Sequence, residues 1–137
     1  EEYLMADKLH FDLVSPERRL FAGEVDMVVV PGEDGDFGVL PRHAPFMSVI
    51  RSGAIIVTTD GVSERTFIHG GFAEVTPEGL TILAEEAIPV SEIDVAAVTQ
   101  ALKDAQEDLG VAKSEMDIEQ AQARIDRLEA MRTTAVN

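Results

Sequence analysis

The sequence contains no cysteine and no tryptophan, and its basic residues are few. Without cysteine, a disulfide-stabilised scaffold and a thiol-dependent catalyst are both excluded. The 11 Lys and Arg residues are scattered among 26 Asp and Glu, for a net charge of −15, which argues against nucleic acid and anionic lipid as partners. No apolar run reaches the ~20 residues that span a bilayer, and no signal-peptide pattern is present. We therefore expect a soluble chain that does not insert into lipid.

The sequence nevertheless has enough apolar residues for a folded domain. Hydrophobic residues make up 45% of the 137, which is too large a share for a disordered chain even at this charge. The length predicts one domain, or one domain with an appendage. Met5 resembles a natural start, which suggests that residues 1–4 are non-native, and residues 1–7 are predicted to be a disordered or non-native N-terminus.

Residues 8–88 show the pattern of short strands separated by turns. Leu9, Phe11 and Leu13 alternate with their neighbours, as expected for a strand with one buried face. Asp60-Gly61 is a signal for a type I′ hairpin, because glycine accepts the positive φ of that turn. Further strands are predicted at residues 25–30, 37–40, 46–51, 54–59, 66–69, 72–75 and 80–84. Since no helical run interrupts them, this region is predicted to be an antiparallel β-sandwich domain or flattened barrel.

Residues 89–137 show the period of an α-helix. The apolar positions that share one helical face are Val95, Val98, Leu102, Ala105 and Leu109 in a first helix, and Ile118, Ala121, Ile125 and Leu128 in a second. The segments 91–94 and 114–117 can cap the two helices, and Gly110 interrupts the pattern between them. The pattern predicts an antiparallel helix hairpin domain with narrow, alanine-rich buried faces.

Catalytic and metal-binding patterns are weak. His10, His43 and His69 lie in no recognisable nucleophile context and lack the spacing of metal ligands. Glu85 and Glu86 could serve a small β-sandwich enzyme as paired carboxylates, but neighbours on a strand point to opposite faces. The sequence therefore predicts no catalytic site, no cofactor and no metal.

An acidic segment at residues 31–38, PGEDGDFG, carries Glu33, Asp34 and Asp36. A phosphate-binding loop would need Gly-Lys-Ser/Thr before a helix, and a calcium loop would need Glu at its twelfth position, where Pro45 stands. We expect instead an acidic hairpin loop in water, with three carboxylates at its tip. A basic partner could use this concentrated charge.

Two further segments are unusual. In residues 39–45 two prolines frame a histidine and an alanine, which predicts a stiff segment suited to structural use or to docking. Gly70 and Gly71 join two predicted strands and suggest a tight turn or a bulge where another backbone approaches.

Three strings together carry a family resemblance: FDLVSPE at 11–17, PGEDGDFGVLPRHAP at 31–45 and GGFAEV at 70–75. They closely resemble the epsilon subunit of the F-type ATP synthase, which is called delta in mitochondria, and the match runs from about residue 8 to residue 132. The resemblance implies a non-catalytic rotor subunit of the central stalk, which couples proton-driven rotation to ATP synthesis. It also implies a place on the cytoplasmic face of a bacterial plasma membrane.

The resemblance implies three contact regions with protein partners, which are the gamma subunit, the membrane c ring and the alpha and beta subunits. The residues that it assigns are Glu33, Asp34 and Asp36 to the c ring, Ser15, Arg42 and His43 to gamma, and Arg124, Arg127 and Arg132 of the hairpin to the catalytic subunits. In many relatives the hairpin can also extend along gamma and impede ATP hydrolysis.

Nucleotide binding is the remaining alternative. Some relatives bind ATP through an Ile/Leu-Asp-x-x-Arg-Ala motif at the first helix. The matching run here is IDVAAV at 93–98, so Ala97 stands where the motif has arginine. We therefore expect no nucleotide site, and a free-standing nucleotide-sensing regulatory module is the alternative to the rotor subunit.

Overall fold

The computed structural model describes residues 7–137, so the predicted N-terminal extension lies outside the described residues except for Asp7. The chain divides into two compact units, one ending at Pro89 and one running from Val90 to Asn137. In the described part of the chain, no helix combines the length and the apolar character needed to cross a membrane.

The first unit is made of strands and the second of helices. The strands are β1 (Leu9–Val14), β2 (Arg19–Val25), β3 (Met27–Gly32), β4 (Gly35–Val39), β5 (Phe46–Val49), β6 (Gly53–Thr59), β7 (Val62–Thr76) and β8 (Gly79–Pro89). The second unit has a 3-10 turn (Val90–Glu92) followed by helices α1 (Val95–Val111) and α2 (Glu115–Val136). The predicted order of a β domain and then two helices is confirmed.

The strands follow the order β2-β1-β8-β7-β6-β3-β4, with β5 also paired to β7. The first part of β7 pairs with β6 and its last part pairs with β5, so this 15-residue strand passes from one layer to the other. All pairings are antiparallel except β1 with β8, which run parallel and place Phe11 beside Leu80. The predicted antiparallel sandwich is confirmed, and the parallel pair is an addition to it.

Gly70 and Gly71 lie inside β7, so the predicted division into two strands is wrong. Their φ angles are 71° and 121°, which glycine adopts far more readily than other residues. A Cβ on Gly71 would lie 2.0 Å from the carbonyl oxygen of Leu83 in β8. The predicted close approach of another backbone is therefore present, but it occurs within a continuous strand and not at a turn.

The core of the first unit lies between the two layers. The alternation of Leu9, Phe11 and Leu13 is confirmed, since each is at most 4% exposed. Ile55 and Ile82 from other strands are fully buried in the same cluster. Each such side chain stabilises the fold by about 1.5–3 kcal/mol relative to an exposed position.

The predicted strand 25–30 is divided at Asp26, and β2 was not predicted. The Asp26 N–H donates to the carbonyl oxygen of Thr58 at 2.8 Å. Its carboxylate accepts from Lys8 Nζ at 2.6 Å and from the Asp60 N–H at 2.6 Å. The Lys8 ammonium holds the pKa of Asp26 below its ordinary value. These bonds fix the confirmed hairpin turn, where Asp60 and Gly61 have φ of 52° and 81°.

The helices begin at the predicted caps. The Asp94 carboxylate accepts the Ala97 N–H at 3.1 Å, and the Ser114 hydroxyl accepts the Asp117 N–H at 3.1 Å. Gly110 lies within α1 and does not separate the helices, which corrects the prediction.

The buried face of α2 lies nearer its C-terminus than predicted. Ile118 is 42% exposed, although the pattern placed it on the buried face. The buried residues of α2 are Ile125, Leu128, Met131 and Thr134. The predicted stripe ended at residue 128, whereas the helix continues through Val136 and buries two further positions.

Candidate functional site

The acidic hairpin, residues 27–39 of β3 and β4, is closed by a two-residue turn at Glu33 and Asp34. Gly32 and Gly35 face each other across the strands at the base of this turn. A Cβ on Gly32 would lie 2.7 Å from the Gly35 carbonyl oxygen and 2.9 Å from the Phe37 ring. Gly35 itself has φ of 135°. The turn therefore requires glycine at both ends, which gives it one tight conformation.

The three carboxylates of this hairpin lie in two different environments. Glu33 and Asp34 are exposed at the turn, and neither side chain forms a hydrogen bond or ion pair within residues 7–137. Asp36 lies past the turn in β4, where it pairs with Arg51. The expectation of three carboxylates at one tip is thus wrong for Asp36, because a two-residue turn leaves room for only two of them.

The acidic hairpin is anchored to the last residue of β5 and the two residues that follow it. The Glu33 N–H donates to the Val49 carbonyl oxygen at 2.9 Å, and the Arg51 N–H donates to the Pro31 carbonyl oxygen at 2.9 Å. A further bridge joins Gly32 to Ile50. These contacts join residues 31–33 of the hairpin to residues 49–51, so the main chain holds the tip in place.

An apolar strip, Phe46, Met47 and Val49 of β5, borders the acidic hairpin. These side chains are 47%, 61% and 55% exposed. The Phe46 ring meets Phe37 of the hairpin edge-on, with centroids 5.2 Å apart. Met47 and Val49, two positions apart on β5, share one face, and neighbouring exposed apolar residues of this kind are typical of a protein-docking surface. Sequence reasoning missed the strip, although neighbouring apolar residues at 46 and 47 break the two-residue alternation of a half-buried strand.

The proline-framed loop, residues 40–45, is held by short-range bonds. The His43 N–H donates to the Leu40 carbonyl oxygen at 3.1 Å, and its Nδ1–H donates to the Ala44 carbonyl oxygen at 2.7 Å. Arg42 has φ of 64° and pairs with Asp7 at 3.3 Å. These bonds favour the predicted stiffness, and the loop presents an exposed Arg42 side chain.

Ser15 points inward, in contrast to Arg42. Ser15 is 9% exposed, and its hydroxyl donates to the Arg18 carbonyl oxygen at 3.3 Å. The Ser15 N–H donates to the same oxygen at 2.9 Å. The side chain thus closes the turn between β1 and β2, so a partner at this turn would meet exposed Pro16 and Glu17 first.

Glu85 and Glu86 border one open cleft of about 340 Å³, together with Ser15 and Arg18. Because both residues can border the cleft with main-chain atoms, the expectation that the two carboxylates point to opposite faces of β8 stays a prediction. Within residues 7–137, no three acidic or histidine side chains are grouped closely enough to hold a metal ion.

The three arginines of α2 have different surroundings. Arg124 Nη1 lies 3.8 Å from Asp108 Oδ2 of α1, Arg127 is half-buried and Arg132 is exposed. Because the helix also carries Asp126 and Glu129 among them, the positive charge is not continuous.

The cleft between α1 and α2 is relevant to nucleotide binding. It has a volume of about 380 Å³ and is bordered by Asp108, Asp117 and Arg124. This set of charges is net negative and repels phosphate. At the motif position Ala97 offers a methyl group, and the Asp94 carboxylate is used as the cap of α1. The geometry gives no support to the nucleotide-sensing alternative.

Comparisons with known proteins agree with this architecture. The family model described as ATP synthase, Delta/Epsilon chain, beta-sandwich domain matches residues 8–90. The ATP synthase epsilon chain of Maricaulis maris is 67% identical over 133 residues, which cover 97% of this chain and 100% of that protein.

Two solved structures share the fold. A chain in the cryo-EM structure of the Euglena gracilis mitochondrial ATP synthase, OSCP/F1/c-ring, has a TM-score of 0.81 at 23% identity, covering 96% of this chain and 82% of that one. A chain of the Tetrahymena thermophila mitochondrial ATP synthase central stalk/c-ring has a TM-score of 0.63 at 12% identity, covering 93% and 96%. Together with the family model and the bacterial relative, they lead to one conclusion: the chain belongs to the delta/epsilon-chain family of the ATP synthase.

Proposed function

We propose that the chain is a central-stalk rotor subunit of a bacterial F-type ATP synthase, with no chemistry of its own. It links the gamma subunit to the c ring and so couples rotation to ATP synthesis on the cytoplasmic face of the plasma membrane. The observation that carries this proposal is the 67% identity to a bacterial epsilon chain over that protein's whole length. The similar solved structures come from F1/c-ring and central stalk/c-ring assemblies, which supports the same placement.

The acidic hairpin supplies the contact with the c ring in this proposal. Glu33 and Asp34 are exposed carboxylates on a turn that two glycines and two backbone bonds hold in place. A rigid anionic tip is suited to pair with basic loop residues, because little side-chain and backbone entropy is lost on binding. Asp36 extends the same acidic edge.

The gamma contact in this proposal combines the proline-framed loop with the apolar strip. Arg42 and His43 supply polar groups, and Met47 and Val49 of the strand that follows supply exposed apolar surface. A mixture of an apolar centre with a polar rim is typical of protein interfaces. The exposed neighbours of Ser15 supply a second part of the gamma contact in this proposal, at the opposite end of β1 from Asp7, the partner of Arg42.

The helix hairpin contacts the alpha and beta subunits in this proposal and regulates ATP hydrolysis. Arg124 and Arg132 are exposed on α2, and Arg127 lies on the same helix. Removal of residues 91–137 from the assembled enzyme should therefore raise its ATP hydrolysis rate. An unchanged rate would exclude this regulatory part and leave the rotor role unaffected.

The c-ring contact is tested by charge reversal. The triple variant Glu33→Lys, Asp34→Lys and Asp36→Lys should weaken binding of the chain to purified c ring and lower proton-driven ATP synthesis. A matched control reverses three exposed carboxylates elsewhere on the sandwich, Glu24, Glu64 and Glu78, and should retain both activities. Circular dichroism would verify that both variants remain folded. Equal ring binding by the two triple variants would contradict the proposal.

A further inference from the structure

Arg51 contacts both strands of the acidic hairpin. Its guanidinium Nη2 donates to the Asp36 carboxylate of β4, and its backbone N–H donates to the Pro31 carbonyl oxygen of β3 at 2.9 Å. Pro31 and Asp36 are themselves a cross-strand pair. The side chain and the main chain of Arg51 therefore engage the same rung of the hairpin, one strand each.

The position of the Arg51 side chain depends on Gly53. A Cβ on Gly53 would lie 3.3 Å from Arg51 Nη1 and 3.4 Å from the Pro31 Cβ. The first distance is tighter than ordinary van der Waals contact, and the second is at its lower limit. The absence of a side chain at position 53 thus leaves room for the guanidinium beside Pro31, within reach of Asp36.

The three hairpin carboxylates consequently differ in the charge that they can offer to a partner. Arg51 neutralises Asp36, whereas Glu33 and Asp34 form no ion pair within residues 7–137. The pair is half-exposed, with side chains 49% and 60% accessible, so it contributes little to stability. Its effect on the local charge is larger, because it removes one of three negative charges from the hairpin.

We propose that Arg51 is a positioning residue that occupies Asp36 and thereby limits the charge of the docking hairpin to Glu33 and Asp34. The inference rests on the proposed function, since it describes how the c-ring contact of that function selects its basic partner. Arg51 acts through Asp36 and contacts no partner itself. The charge of the tip is then set by a residue outside the hairpin.

The experiment uses the full-length chain and purified c ring in detergent, with the association rate measured at several salt concentrations. Arg51→Gln retains the backbone bond to Pro31 and frees Asp36, so it should raise the association rate about two- to fivefold at low salt and steepen its salt dependence. Asp36→Asn alone removes one negative charge and leaves the Arg51 cation without its partner, so the site becomes less negative by one unit and the rate should fall by a similar factor. The double variant should lose the gain of Arg51→Gln, and Arg51→Lys should behave as the original chain because it keeps the charge.

Arg19→Gln is the matched control for net charge. Arg19 is an exposed arginine of the same sandwich that lies 3.9 Å from Asp12. Its removal should leave the association rate within the range of the original chain. A gain for Arg19→Gln equal to that for Arg51→Gln, a loss for Arg51→Gln, or a gain that persists in the double variant would each overturn the proposal.

A second probe separates this inference from the proposed function. The same chains are titrated with a tetralysine peptide while the backbone amide NMR signals of residues 33–36 are followed. In the original chain the peptide should shift the amide signals of Glu33 and Asp34 more than that of Asp36. In Arg51→Gln the Asp36 signal should shift as much as the other two. If the c ring does not bind but the peptide series behaves as described, the proposed function fails and the role of Arg51 stands. If the peptide shifts all three equally in the original chain, the role of Arg51 fails.

Discussion

The β-sandwich and the helix hairpin differ in how strongly their residues determine their structure. In the sandwich, Phe11, Ile55 and Ile82 are at most 1% exposed, and each belongs to a strand that is bonded to its neighbours across the sheet. In the hairpin the buried side chains form narrow stripes, with Leu102 of α1 and Ile125 of α2 still 5% and 6% exposed. A substitution in the sandwich core therefore disturbs contacts with several strands, whereas most positions of the hairpin are exposed to solvent.

The largest expected effect of a single methyl group is at Gly71. Gly71→Ala would place a Cβ 2.0 Å from the Leu83 carbonyl oxygen at a φ of 121°. Because both β7 and β8 are fixed by ladder bonds on either side, the strands cannot separate locally. We expect a loss of at least about 3 kcal/mol in the free energy of unfolding, measured by urea denaturation.

Gly61→Ala is the control for this prediction. Gly61 also has positive φ, at 81°, but no atom lies within 4 Å of the position of its Cβ. Gly61→Ala should therefore lower the free energy of unfolding only by the backbone strain, roughly 1–2 kcal/mol. Similar losses for the two variants would show that strain, and not the approach of β8, limits position 71.

A glycine-to-alanine substitution in the helix hairpin should increase stability instead of lowering it. Gly110 lies within α1, and a Cβ at this position would meet nothing within 4 Å. Gly110→Ala should stabilise α1 by about 0.5–1 kcal/mol, because alanine loses less backbone entropy than glycine in a helix. Slower amide hydrogen exchange in α1 would record the gain, with exchange in β7 and β8 unchanged. Faster exchange in α1 would show that position 110 is not helical or has no room for a Cβ.

Local sequence patterns predicted the features that depend on a few neighbouring residues. The turn at Asp60-Gly61 and the caps at Asp94 and Ser114 follow from the chemistry of two to four residues, and all are present. The alternation in β1 also followed from local periodicity, since one face of that strand is buried.

The features that could not be predicted depend on residues far apart in the chain. β2 is an edge strand with mostly exposed residues, so it lacks an alternating pattern. The Arg51–Asp36 pair joins residues 15 positions apart, and its charge effect cannot be inferred from the acidic string alone. The family resemblance assigned Glu33, Asp34 and Asp36 to one contact, but only the register of β3 and β4 distinguishes Asp36 from the other two.

The smallest expected effect concerns pH, and it again divides the two regions, because all three histidines lie in the sandwich. The His10 Nδ1 lies 2.7 Å from Glu24 Oε2, and its Nε2 lies 3.1 Å from Asp12 Oδ2. The hydrogen bond to Glu24, with a further contribution from Asp12, raises the pKa of His10 above its ordinary value. A raised pKa means that the folded state holds the proton more tightly than the unfolded state. The resulting stability is fully present below about pH 6.5 and is lost as the pH rises through the folded-state value.

His10→Gln should therefore reduce sandwich stability at pH 5.5 more than at pH 8, as measured by urea midpoints. Working above pH 5 keeps this measurement clear of Asp26, whose lowered pKa makes its own contribution disappear only as the pH falls below the ordinary range of an aspartate. The effect should be small because His10 and Glu24 are exposed and screened by solvent. Amide hydrogen exchange in the helix hairpin should be the same in the two chains at either pH. If the urea midpoint changes between pH 5.5 and pH 8 by the same amount in the original chain and in His10→Gln, the pH dependence comes from groups other than His10.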